Sequence, residues 1–299
     1  MSGASARRID AGGLALHAEI SGGGAPVLIL HGFTGSTRTV AGIAAGLEGD
    51  FRTIRIDLVG HGRSEAPRNL AAYTVPGCVE QLGRALDALD ANRVHLVGYS
   101  MGGRVALSLC AAHPSRVRSA LLVGTSAGIE EDPAREARIR DDERLADRIE
   151  SEGVARFVDY WSSLPLFATQ RTLGEEWLAE ARAQRLSNRA HALASSLRGM
   201  GAGAQPPLHG RLGDIETPIC LVAGERDGKF RAIGEGLAHR LPNARLEVIP
   251  GAGHAAHLEQ PTAFLRLARQ WLAGADAASH TVDARPAIPP AQSMGETTQ

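Results

Sequence analysis

Gly98-Tyr99-Ser100-Met101-Gly102 stands where the apolar run VHLV gives way to the helical pattern MGGRVAL. This is the G-x-S-x-G arrangement of a serine on a sharp strand-to-helix turn, whose glycines permit a strained backbone that lifts the hydroxyl clear of a sheet. A serine in a glycine-rich turn can also merely cap a helix, so its partners decide between the two readings. A serine hydroxyl is a weak nucleophile and a weak base at neutral pH. It needs an imidazole to hold its proton, and the imidazole needs a carboxylate to fix its tautomer. Asp227 follows the run ICLVAG in GERDGKF, and His254 follows RLEVIP in GAGHAAH, so Ser, Asp and His come in order at three strand ends. Glu225 and Asp214 are rival acids, the first still inside the turn and the second ahead of the strand. His257, at the start of a helix, is the rival imidazole and reads as packing or support. Negative charge on an oxygen above Ser100 needs backbone donors, expected from Met101 and from Phe33 in LILHGFTGS. A second glycine-rich turn, DLVGHGRS, carries His61, which reads as structural.

The elements that must position these residues are short apolar runs alternating with helical patterns. They are PVLILHG (26–32), FRTIRID (51–57), VHLVGYS (94–100), VRSALLVGT (117–125), PICLVAG (218–224) and RLEVIPG (245–251). Such alternation predicts a mostly parallel sheet with helices on both faces. The rhythm breaks over 128–205, where EEDPAREARIRDDERLADRIE and the segments after it read as helices without a strand. This predicts a helical cap inserted into a core of residues 1–127 and 206–272. The stretch 273–299, rich in Ala, Ser, Pro and Thr, lacks an apolar cluster to offset its ordering entropy and reads as a disordered tail.

Composition narrows the function. The 299 residues are 43% hydrophobic and 22% charged, enough to bury a large core, and the formal net charge of -1 offers no basic face for nucleic acid. Lys229 is the only lysine, a bias that makes an individual arginine informative only through its position. Cys78, Cys110 and Cys220 lie far apart in or beside apolar runs, as reduced structural thiols do. No metal-ligand spacing is present, no apolar stretch approaches the roughly 18 residues of a membrane span, and no secretory leader opens the chain. A cytoplasmic enzyme with no cofactor, no metal, no nucleic acid and no membrane is the expectation.

LILHGFTGS, DLVGHGRS, GYSMGGR, GERDGKF and GAGHAAH together resemble the α/β-hydrolase fold. More narrowly, FVDYWSSLPLFATQ, QRLSNRAHALASSLRGMGAGAQP and ERDGKF are similar to the 2-succinyl-6-hydroxy-2,4-cyclohexadiene-1-carboxylate synthase family, over about residues 25–272. The residues before 25 resemble the opening hairpin of the wider fold. The resemblance implies a lyase acting on a small polycarboxylate. It implies that Arg104, Arg138 and Arg185 bind carboxylates, that Tyr99 and Trp161 line the pocket, with Tyr160 a competitor for the place of Trp161, and that Ser100 takes a proton. Two other readings stay open at this stage: hydrolysis of an ester, lactone or C–C bond with Ser100 as nucleophile, and a non-catalytic small-molecule receptor.

Overall fold

The run PVLIL forms strand β3 (Pro26–Leu30), and its alternate side chains enter two different cores. Leu28 and Leu30 pack on one face of the sheet, while Val27 and Ile29 pack on the other. That two-sided burial is why the run is continuously apolar and not alternating. The computed structural model describes residues 4–283. Before β3 come β1 (Ser5–Asp10) and β2 (Ala15–Ser21), the hairpin that the resemblance implies. After it come α1 (Ala41–Leu47), β4 (Arg52–Ile56), α2 (Val75–Ala88), β5 (Val94–Tyr99), α3 (Met101–Ala112) and β6 (Val117–Val123). Three helices follow, α4 (Asp132–Ser163), α5 (Glu175–Leu186) and α6 (Ala190–Met200). The core resumes with β7 (Ile219–Gly224), α7 (Gly228–Arg240), β8 (Ala244–Ile249), α8 (Ala256–Glu259) and α9 (Pro261–Asp283).

The eight strands lie in the order β1-β2-β4-β3-β5-β6-β7-β8. β1 pairs with β2 and β2 with β4 antiparallel, and every other pairing is parallel. Helices α2, α3 and α7 cover one face and α1 and α9 the other. The order turns back at β3, whose connection to β4 runs one way while β5 lies on its other side. At such a switch point the loops beyond the strand ends part and leave a crevice. The loop bearing Phe33 leaves β3 there, and Ser100 follows β5.

The segment between β6 and β7 is helical and carries its own core of Ala146, Ile149, Phe157, Val158, Leu193, Ala194 and Leu197. Helix α4 bends at Gly153, whose φ of 83° no helical residue adopts, so its second half turns back over the crevice. The sequence boundary at 273 is corrected at the other end of the chain. Helix α9 continues to Asp283, because LAGADAAS is alanine-rich and alanine carries no propensity cost in a helix. The remainder of the expected tail, 284–299, lies outside the described residues.

Three histidines are sealed in the core near the strand ends. His31 donates from Nδ1 to the Gly32 carbonyl at 2.8 Å and accepts the Leu58 N–H at Nε2 at 3.0 Å, so both ring nitrogens are engaged in the neutral form. Burial pulls its pKa down to about 4, and burial likewise takes His61 and His257 to about 3. Below their ordinary value of 6.5 the unfolded chain takes up protons that the folded chain refuses. Stability is therefore complete above roughly pH 6.5 and falls as pH drops, by up to about 1.4 kcal/mol per pH unit for each histidine. Denaturant midpoints between about pH 7.5 and 5 should show this slope, and His61→Gln should make it shallower. A profile flat over that window, or a slope unchanged in the variant, would contradict the assignment.

Candidate active site

Ser100 occupies φ 51°, ψ −109°, a region that non-glycine residues rarely enter. The sheet and helix enforce it: the Ser100 N–H donates to the Val123 carbonyl at 2.8 Å, while α3 starts at the next residue. A Cβ at Gly98 would sit 2.7 Å from the Gly102 carbonyl oxygen, and one at Gly102 would sit 2.5 Å from the Leu30 and His31 carbonyl oxygens. Both glycines are thus needed for strand and helix to approach this closely.

The structure brings Ser100, His254 and Asp227 into one hydrogen-bonded chain. His254 Nδ1 lies 2.8 Å from Asp227 Oδ2, and His254 Nε2 lies 3.1 Å from Ser100 Oγ. A carboxylate only accepts, so Nδ1 carries the proton and Nε2 is free to accept from the serine hydroxyl. Asp227 is held in turn, because its Oδ1 accepts the Phe230 N–H at 3.2 Å as the cap of α7. The start of a helix favours that negative charge. The rivals are elsewhere: Glu225 is exposed and accepts the Gly251 N–H at 2.8 Å, and Asp214 lies exposed in a 3-10 turn before β7. His257 is buried with its ring 4.5 Å from Tyr99, and does not enter the chain.

Several supporting residues are invisible to sequence reasoning. Glu259 accepts the Gly253 N–H at 2.6 Å and the Ala255 N–H at 3.2 Å, so one carboxylate brackets the backbone on both sides of His254. Gly124, at φ 56° after β6, makes room for the imidazole, since a Cβ there would fall 2.7 Å from its Cε1. Phe230 packs against His254 with ring centroids 4.5 Å apart and the planes tilted by 44°. Gly124 and Phe230 meet His254 from distant parts of the chain, and Glu259 folds back from four to six residues downstream; only Phe230, inside the string ERDGKF that also carries Asp227, had a motif to mark it.

Above the serine lies a cavity of about 780 Å³ between the strand ends and the cap. Phe33, Tyr99, Met101 and Trp161 line it, whereas Tyr160 points outward at 40% exposure, which decides between the two neighbouring aromatics. Met101 is the first residue of α3, so its N–H has no acceptor within the helix. The ring of Phe33 stands edge-on to Trp161, with centroids 5.3 Å apart, joining the loop after β3 to the cap.

Arg104, Arg138 and Arg185 all face this cavity. Arg104 donates to the Gln205 side chain at 2.9 Å and the Met200 carbonyl at 2.7 Å. Both acceptors are neutral. Burial, aided by Arg138 nearby, pushes its pKa down to about 10, so it remains a desolvated cation at neutral pH. Arg185 donates to Ser162 and Gln170, and burial lowers its pKa as well. Arg138 is held by Asp142 at 2.9 Å. Arg38 and Lys229 also reach the lining, alongside the carboxylates Glu180 and Asp227. Cations that are partly stripped of water and bonded to neutral groups attract carboxylates.

The family model described as the alpha/beta hydrolase fold matches residues 25–261. A Bacillus subtilis protein, provisionally named as a 2-succinyl-6-hydroxy-2,4-cyclohexadiene-1-carboxylate synthase, is 41% identical over 82% of this chain and 89% of its own. The synthase of that name from Enterobacter sp. (strain 638) is 33% identical, covering 79% and 87%. The chain belongs to this synthase family within the α/β hydrolases. The structure of MenH from S. aureus superposes with a TM-score of 0.83 at 31% identity, covering 87% of this chain and 98% of that one. The family-model match over 25–261 runs through the cap as well as the core of this synthase-family chain.

Replacing Ser100, Asp227 or His254 with alanine should lower turnover by roughly a thousandfold or more, with double variants hardly worse than single ones because the groups act as a unit. Thermal melts should stay near those of the parent. If Asp227→Ala kept its rate while Glu225→Ala lost it, the acid would be misassigned.

Proposed function

We propose that the chain is a carbon-oxygen lyase. It eliminates pyruvate from 2-succinyl-5-enolpyruvyl-6-hydroxy-3-cyclohexene-1-carboxylate, giving 2-succinyl-6-hydroxy-2,4-cyclohexadiene-1-carboxylate. The observation that carries this reading is the placement of Arg104, Arg138 and Arg185 around the mouth of a hydrogen-bonded Ser-His-Asp chain. Membership of the synthase family supports it. A substrate with three carboxylates suits three cations that face one cavity, where bidentate guanidinium contacts fix orientation as well as affinity.

The chemistry follows from what the site can stabilise. His254 Nε2 accepts the hydroxyl proton of Ser100 as Ser100 Oγ takes the proton from the ring carbon beside the succinyl ketone. The C–H electron pair moves toward the ketone oxygen, whose charge meets the N–H groups of Phe33 and Met101. When the enolate collapses, its electrons shift through the ring alkene, form the conjugated diene and break the C–O bond to the side chain. The side chain leaves with that pair and receives the proton held by the Ser100–His254 couple, becoming pyruvate. Asp227 stabilises the transient imidazolium throughout. Proton count and electrons balance without a cofactor. We place the reaction in the cytoplasm, in keeping with three buried free thiols. Among the described residues no helix is long and apolar enough to cross a membrane.

Arg104→Ala, Arg138→Ala and Arg185→Ala should each lower kcat/KM for the polycarboxylate by about ten- to a hundredfold, the worth of one charged hydrogen bond of about 1.5–3 kcal/mol. Turnover of a neutral ester should scarcely move. Equal losses on both substrates would point to damaged folding and not to lost recognition.

Deuterium at the carbon beside the succinyl ketone should slow the chemical step in a single turnover, where product release cannot mask it. Mass spectrometry of the quenched enzyme should find Ser100 unmodified. A stoichiometric acyl adduct on Ser100 with no pyruvate released would instead make the chain a serine hydrolase.

A further inference from the structure

The turn that ends β3 is held from two sides. On the inner side the Gly32 carbonyl accepts the Gly35 N–H at 2.9 Å and the His31 Nδ1–H at 2.8 Å. Carbonyl and N–H lie on opposite edges of a trans peptide, so anchoring the Gly32 oxygen turns the Phe33 N–H away from that anchor. Thr34, the third residue of the turn, has a φ of 66°. That is the i+2 conformation of a type II turn, which glycine fills readily and a β-branched residue seldom does. The groups that hold Thr34 there belong to the cap. Its carbonyl accepts Gln184 Nε2 at 3.1 Å and Asn188 Nδ2 at 2.9 Å, from residues 150 and 154 positions along the chain. Gln184 donates also to Ser36 Oγ at 3.3 Å, and Asn188 to the Arg185 carbonyl at 3.0 Å. Thr34, Ser36, Gln184 and Asn188 are all buried. The Thr34–Gly35 peptide is therefore gripped at both edges, its N–H by Gly32 and its carbonyl by the cap.

We infer that Gln184 and Asn188 are positioning residues, which hold the Gly32–Gly35 turn, and with it the Phe33 N–H, in the geometry an oxyanion requires. The inference rests on the reading of Phe33 and Met101 as the oxyanion donors. Side-chain amides suit the task, because the group to be held is a carbonyl oxygen and a carboxylate has no proton to offer it. Arg185 lies between the two amides in sequence and faces the cavity, with its guanidinium over the Phe167 ring. A carboxylate taken by Arg185 steadies the end of α5, which carries Gln184 and leads directly into Asn188. Recognition of the substrate's acid groups by the cap is thereby linked to the quality of the oxyanion hole on the core.

The test uses the full chain and a small neutral fluorophosphonate. Attack by Ser100 forms the Oγ–P bond and breaks the P–F bond, fluoride leaves, His254 takes the hydroxyl proton, and charge builds on the phosphoryl oxygen with no carboxylate to be recognised. Gln184→Glu and Asn188→Asp keep the side-chain shape but replace donor by acceptor, and Gln184→Ala and Asn188→Ala serve if a buried charge prevents folding. Each change should slow phosphonylation at saturating reagent by about tenfold, and the pair by about a hundredfold, since loss of one oxyanion donor costs on the order of 10²–10³. Lyase kcat should fall in step while KM stays within about threefold, the pattern of an interaction made only in the transition state. Thr34→Gly in the alanine background should recover most of the loss, because glycine accepts this φ without strain. Folded variants that react at the parental rate overturn the inference, as does a loss that Thr34→Gly leaves untouched. A parent chain that the fluorophosphonate fails to modify overturns the reading of the site itself, and the inference with it.

Discussion

A serine held in the left-handed region between a strand and a helix is the constraint on which the rest of this molecule depends. No isolated peptide keeps Ser100 at φ 51°; the cost, of order 1–3 kcal/mol, is met only where surrounding structure leaves no alternative. Here that structure is the pairing of β5 with β3 and β6, the close seating of α3 against Leu30 and His31, and the glycines at 98 and 102 that permit it. The result is a hydroxyl standing above the sheet, 3.1 Å from an imidazole that arrives from 154 residues away. Asp227 and Glu259 complete the arrangement, one through the ring and the other through the backbone of His254.

A proton relay of this kind is indifferent to the reaction it serves. An oxyanion pocket accepts a tetrahedral adduct or an enolate equally, and a serine oxygen can meet carbon or hydrogen. Selection between those outcomes comes from what the cavity holds in front of the serine. The desolvated Arg104, bonded only to neutral oxygens, and Arg185, bonded to a hydroxyl and an amide, set a positive field that an uncharged ester does not exploit. Asp142 moderates it. Burial raises the carboxyl pKa of Asp142 while Arg138 and Arg104 oppose the shift, and its Oδ2 has no hydrogen-bond partner. Part of the charge on Arg138 is thus already spoken for, whereas the hydrogen bonds of Arg104 and Arg185 go to neutral groups.

The cap is more than a cover. Its own apolar core reaches the hydrolase core through Phe33, whose ring packs between Phe157 and Trp161 while its backbone borders the serine. Arg189 donates to the Ser64 carbonyl at 2.6 Å, and His191 lies 3.2 Å from the Ala66 carbonyl, fastening α6 to the loop after β4. Asp57 ties that loop to the Phe33 loop by accepting the Thr37 and Arg63 N–H groups. Core loops and cap therefore form one hydrogen-bonded rim above the strand ends.

The sequence by itself determined the parallel sheet, the helical insertion, the elbow serine and the order of its partners. Each of these is written in local signals: period of apolarity, glycine placement and residues next to strand ends. It favoured Asp227 over Glu225 by position alone, and the structure supplies the reason, since Glu225 is occupied with Gly251. It ended the core at 272, short of the helix end at Asp283, because composition reports apolar surface and says little about how far an alanine-rich helix continues. Only the tertiary structure decided that Trp161 and not Tyr160 faces the cavity. Only it showed Glu259 bracketing His254, and Gln184 and Asn188 gripping Thr34. Those contacts join chain segments through hydrogen bonds whose donors and acceptors are common residue types, and a common type acquires a role only when folding places it opposite its partner.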